Sequence, residues 1–149
     1  MRKTAQAPVW FPIDLRYRVN ADWIPFAEPR TLRLPDSDGV SRGWKSPGYV
    51  SFALDGQRNT LQAVLTPDRK QLSFLFRDGT TGQETYGAGR FLEADLPSGG
   101  KVLMDFNKAY NPFCTCNALY ICPIPPKENH LKLRIAAGER KYPKLVQEH

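Results

Sequence analysis

Proline and a two-residue apolar period leave this chain little room for helix. Prolines at positions 12, 25, 29 and 35 forbid a long helix through the first quarter. The alternating pieces between them, 14–18 and 31–34, are expected as edge strands or wrapping segments. Turns follow at Asp38-Gly39 and Ser46-Pro47-Gly48. In 49–54, Val50, Phe52 and Leu54 then share one face, Asp55-Gly56 gives a strong hairpin signal, and 60–65 is the return strand.

The same period continues to the C-terminus. Leu72, Phe74 and Phe76 share a face in 71–76, as do Tyr86, Ala88, Arg90 and Leu92 in 84–92. Gly87 and Gly89 lie on the opposite face, where glycine suggests a bend or a close backbone approach. Val102, Met104 and Phe106 alternate with Leu103 and Asp105, and Leu131, Leu133 and Ile135 alternate with Lys132 and Arg134. At least six strands at hairpin spacing predict an all-β domain, an antiparallel barrel or half-closed, barrel-like sandwich. The segment 107–129 would be its capping loop, since a loop of that length in a compact domain is usually functional or disordered and this one is rich in apolar residues.

A length of 149 residues fits one domain spanning 1–149, with 1–9 a flexible end and 141–149 a tail. The net charge of +6 comes from basic residues spread along the sequence, which favours a solvated surface over a nucleic-acid-binding patch. No apolar run approaches the roughly 20 residues of a membrane-spanning helix, and the first twelve residues lack the apolar core of a signal peptide. The expected protein is soluble and cytoplasmic. Phosphate-binding, dinucleotide-binding, nucleophile-elbow and zinc-protease motifs are absent.

Closure of a small barrel would enclose one ligand and give Arg90 a role. A guanidinium on an interior face must find an acceptor, with Asp105 and Glu139 as candidate carboxylates, or reach the mouth. It then either fixes strand register as an ion pair, lines a polar pocket with Tyr86 and Asp105, or extends to water. Asp105, Asn107 and Asn111 would at the least shape tight turns.

Cys114, Cys116, Cys122 and His130 supply the ligand types of a Cys3His zinc site, although the spacing is not that of a finger. A Cys114–Cys122 disulfide, free buried thiols and a cysteine nucleophile served by His130 are the alternatives. No cofactor is predicted, and zinc is the minor reading.

The runs FRDGTTGQETYGAGRFL, DFNKAYNPFC and CPIPPKENHLKLRIAAGE resemble the bacterial and archaeal DUF1684 family, a domain of unknown function. The resemblance covers nearly the whole chain from Trp10-Phe11-Pro12 onward. Its motif positions fall here on Arg77, Asp78, Tyr86, Gly89 and Arg90, then on Asp105, Asn107, Tyr110, Asn111 and Pro112, and finally on Cys114, Cys122, Pro123, Asn129 and Glu139. Cys116 lies outside that pattern and His130 stands where it usually has arginine, which weakens the zinc reading and leaves Cys114 and Cys122 as a pair. Family members usually carry a further N-terminal portion, so this chain is expected to correspond to the C-terminal portion alone.

The resulting expectation is a protein that binds an anionic or polar small molecule through Tyr86, Arg90, Asp105, Asn107, Asn111 and Glu139. One alternative is an enzyme with Asp105 or Glu139 as general base and Arg90 as oxyanion stabiliser. The other is a structural or interaction module whose polar residues form a closed network without a ligand. Oligomeric state is not legible in the sequence.

Overall fold

A computed structural model describes residues 9–35, 41–111 and 123–141. The strands are β1 (Arg18–Pro35), β2 (Ser41–Leu54), β3 (Gln57–Gln62), β4 (Val64–Leu65), β5 (Gln71–Phe76), β6 (Arg90–Asp95) and β7 (Lys101–Asp105). They form a four-stranded sheet in the order β3-β2-β1-β7 and a three-stranded sheet in the order β4-β5-β6, antiparallel throughout. The only helical pieces among the described residues are single 3-10 turns.

The hairpin signal at Asp55-Gly56 is realised. Both residues take positive φ, 52° and 75°, in the two-residue turn joining β2 to β3. The inward residues Val50, Phe52, Leu61, Phe74, Leu92 and Met104 then form one core between the sheets. A smaller cluster of Leu34, Val64 and Leu75 covers the other face of the second sheet, with Trp44 and Phe91 at its edge.

The barrel does not close. At one side the chain passes from β3 to β4 through Ala63, whose N–H still bonds to Gly48 O at 3.0 Å, so the sheets meet at a bent strand. At the other side β6 and β7 belong to different sheets and share no ladder among the described residues. Closure would need those two edges to pair.

Three expected strands are corrected. The segment 14–18 is a 3-10 turn at Leu15–Tyr17 capped by Asp14, because the Asp14 carboxylate captures the Arg16 N–H that a ladder would use. The segment 84–92 is strand only from Arg90, since Gly89 adopts φ 100° and turns the chain. In 130–136 the inward residues alternate as predicted, yet no ladder forms there. Its neighbour is the irregular 77–80 segment, which offers the backbone bridge from Arg77 to His130, a Gly79 N–H that donates to Leu133 O at 2.8 Å, and side chains.

The proline-rich region also differs from a set of wrapping pieces: β1 is an interior strand of 18 residues. Its register against β2 shifts between Pro25 and Arg30, and β7 covers it only from Arg18 to Asp22. The prolines therefore sit where β1 has no partner on its second side among the described residues, and the missing N–H groups cost little. Gly48 permits the bulge, because a Cβ there would lie 2.4 Å from Ile24 O and 2.9 Å from Pro25 Cα.

Candidate functional site

The six residues expected to line one pocket fall in three places. Arg90, Asn111 and Glu139 belong to a buried network, while Asp105 and Asn107 lie at the end of β7. Tyr86 is half-buried in the turn before Gly89, where its carbonyl accepts from Gly89 N–H at 3.1 Å.

Arg90 opens β6 with its side chain facing the core, over the ring of Phe76 at 5.3 Å. Its Nη2 donates to Ile135 O at 3.1 Å, and its Nη1 donates to Ala137 O and, at 3.2 Å, to Glu139 O. The carboxylate partner is Asp78, 3.6 Å away, where Asp105 or Glu139 was expected. Glu139 nevertheless joins the network, offering its backbone carbonyl to Arg90 and its carboxylate to Asn111 N–H at 2.8 Å. Burial lowers the Arg90 pKa below the ordinary guanidinium value, and the charges of Asp78 and Glu139 oppose that shift.

Asp78 is the residue that the sequence reading passed over as a site. It accepts from Ile135 N–H at 2.6 Å and from the Thr80 hydroxyl at 2.9 and 3.0 Å. The C-terminal segment, which has no ladder, is thus held by Arg90 through its carbonyls and by Asp78 through an N–H. A signal was present in the sequence: an apolar alternating run without a strand partner needs polar side chains for its backbone.

Two asparagines act similarly. Asn107 Oδ1 accepts from Asp14 N–H and its Nδ2 donates to Asp14 O, both at 3.0 Å. Asn129 pairs with Gln62 in the same two-bond manner, at 2.7 and 2.9 Å, and also donates to Leu75 O at 2.8 Å. Each side-chain amide stands in for a neighbouring strand.

Where β6 and β7 part, a groove of about 320 Å³ opens. The Tyr110 hydroxyl donates to the Glu93 carboxylate, lying 2.6 and 2.8 Å from its two oxygens, and Ser73 Oγ donates to Oε2 at 3.0 Å. Asp105 borders the same groove. Its Oδ1 accepts from Asn107 N–H at 3.1 Å and from Asn107 Nδ2 at 3.0 Å, and its Oδ2 has no partner among the described residues. Asp95 and Lys108 complete the charged lining, with Leu92 and Leu103 as apolar walls. Three carboxylates against one ammonium give the groove a net negative lining.

Cys114, Cys116 and Cys122 lie outside the described residues, as does the middle of the expected capping loop, 112–122. His130 is exposed, and no cluster suited to a metal ion occurs among the described residues. No helix among them is long and apolar enough to cross a membrane.

Residues 7–140 match the family model described as "Protein of unknown function (DUF1684)". The match begins before Trp10 and spans most of the sequence. The chain is also similar to an uncharacterized protein of Haloarcula marismortui, known from a solution NMR structure, with 34% sequence identity and a TM-score of 0.73. That likeness covers 95% of this chain and 78% of the other. No curated protein matches the sequence.

Proposed function

Since the chain belongs to the DUF1684 family, whose description assigns no activity, its role has to be argued from its own site, and we propose that it is a binding protein whose groove between β6 and β7 holds a positively charged group of its ligand. The observation carrying this reading is the Glu93 carboxylate, fixed by Tyr110 and Ser73 on the wall of that groove. A carboxylate held by neutral donors is fixed in orientation, so a cation entering the groove meets a preorganised acceptor. The size of the groove fits an alkylammonium or guanidinium head, with the exposed Leu103 against the alkyl part.

The expected anionic ligand depended on Arg90 being available to it. In the network, Asp78 and three carbonyls surround the guanidinium, and Arg90 is 0% exposed. Of the expected site, Asp105 is the residue that carries over to the groove reading.

The test is a titration of the labelled protein with n-butylamine, butylguanidine and butyrate, followed by amide NMR. The amine and the guanidine are expected to move the Glu93, Asp105 and Tyr110 signals, and Glu93→Gln is expected to remove the response. Movement of these signals by butyrate alone would overturn the reading.

A further inference from the structure

We propose a second binding site, on the outer face of the four-stranded sheet, that takes a free α-amino acid by both of its charged groups. It shares no lining residue with the groove between β6 and β7 and does not depend on it.

The site begins at the irregularity in β1. Between Pro25 and Arg30, four residues of β1, 26–29, oppose the single Pro47 of β2. A bulge of this kind re-aims the side chains around it. Here it brings the Arg30 guanidinium over the ring of Phe26, 3.8 Å from the centroid, and sets that ring 5.9 Å from the ring of Tyr49. Tyr49 faces outward because its neighbour Val50 faces the core, and its β3 partner Gln62 shares that outer face with Thr60. Glu128 completes the lining from the 3-10 turn Lys127–Asn129, which Asn129 fastens to the Gln62 backbone by two hydrogen bonds. These residues surround a hollow of about 290 Å³.

Charge selects the occupant. Arg30 and Glu128 are the two charged residues of the lining, and neither side chain has an ion pair or a hydrogen bond among the described residues. A ligand between them therefore meets one cation and one anion, each without a counter-charge. Stacking on Phe26 covers one face of the Arg30 guanidinium and leaves its N–H edge for a carboxylate, which the planar fork can hold in a bidentate manner. A carboxylate alone would be repelled by Glu128, and an ammonium alone by Arg30. An α-amino acid answers both, with its ammonium toward Glu128 and an apolar side chain against the Tyr49 ring.

The experiment is an amide NMR titration of the full chain with L-phenylalanine, 3-phenylpropanoate and 2-phenylethylamine, read at Tyr49, Thr60 and Glu128. Phenylalanine is expected to move these signals and to bind at least tenfold more tightly than either analogue, each of which lacks one charged group. Glu128→Gln is expected to erase the preference over 3-phenylpropanoate, and Arg30→Gln the preference over 2-phenylethylamine. Both positions are exposed, and unchanged signals from Phe74 and Leu92 in the core verify that each variant folds. Signals of Glu93 and Tyr110 report the groove between β6 and β7 and are read separately. Either analogue binding as tightly as phenylalanine would overturn the proposal. So would phenylalanine leaving Tyr49, Thr60 and Glu128 unmoved, or preferences that survive both substitutions.

Discussion

Arg90 and Asp78 face each other inside the protein with Nη2 and Oδ1 3.6 Å apart and neither side chain exposed to solvent. Their charges are joined to the backbone on both sides, since Arg90 donates to carbonyls of the C-terminal segment and Asp78 accepts from an N–H of the same segment. The pair therefore does the work of a strand ladder.

Removing Arg90 leaves a buried carboxylate without its counter-charge and three carbonyls without their donor. Arg90→Met is expected to cost about 3–5 kcal/mol, read from the urea midpoint. Asp78→Asn should cost less, because its amide oxygen can still accept from Ile135 N–H. Equal stability of wild type and Arg90→Met would show that the segment is held by other means.

Asn129 joins the bent β3–β4 corner to the C-terminal segment with three hydrogen bonds to backbone. Asn129→Ala orphans Gln62 N–H, Gln62 O and Leu75 O, with an expected loss of about 2–4 kcal/mol in chemical unfolding. Asn129→Asp retains an acceptor but removes both donated bonds, so it should also be destabilised near neutral pH. A loss below about 0.5 kcal/mol in both variants would contradict this role.

Gly138 has φ 83°, and a Cβ there would lie 2.7 Å from Ala109 O and 2.8 Å from Phe106 O. Gly138→Ala combines a strained conformation with contact against fixed backbone. The expected cost is about 1–3 kcal/mol, measurable as a lower thermal midpoint. An unchanged midpoint would mean that the turn moves freely.

Two surface carboxylates predict the acid limb of the stability curve. Lys101 holds Asp22 below its ordinary pKa, and Arg134 does the same for Glu84. Each binds its proton less readily folded than unfolded, so its contribution is complete above the unfolded value and is lost as pH falls through the folded one. Asp22→Asn and Glu84→Gln should each flatten the fall in stability below about pH 4, and salt should shrink the difference. An unaltered acid limb in both would remove these pairs from the account.

Tyr110→Phe deletes the hydroxyl that grips both oxygens of Glu93 and leaves the edge-to-face ring contact with Phe91 possible. Binding of butylguanidine is expected to weaken about tenfold, equivalent to about 1.4 kcal/mol, by NMR titration. Affinity equal to wild type would detach Tyr110 from the site.

Strand periodicity was legible in the β2–β3 hairpin and in β5, where ladders formed. It misled at 130–136, where alternation is real but the partner is Asp78 and Arg90. Burial alone enforces that period, and a sequence does not display what satisfies the backbone. The prolines of β1 concealed a continuous strand because their tolerance depends on which side is paired, a tertiary property. Asp105 was found as a polar residue at a strand end. Glu93 was not, because a single carboxylate in an alternating strand looks like ordinary surface until Tyr110 is placed against it.

The closing of the C-terminal segment by side chains far earlier in the chain has a consequence for biosynthesis. A ribosome delivers β1 to β7 before the residues that Arg90 and Asp78 must grip. The nascent chain thus carries a buried-type arginine and aspartate with their acceptors and donor still undelivered, and locking waits until residues 135–139 have left the tunnel. Quality-control factors meeting this chain would encounter seven strands already made and the last clasp open.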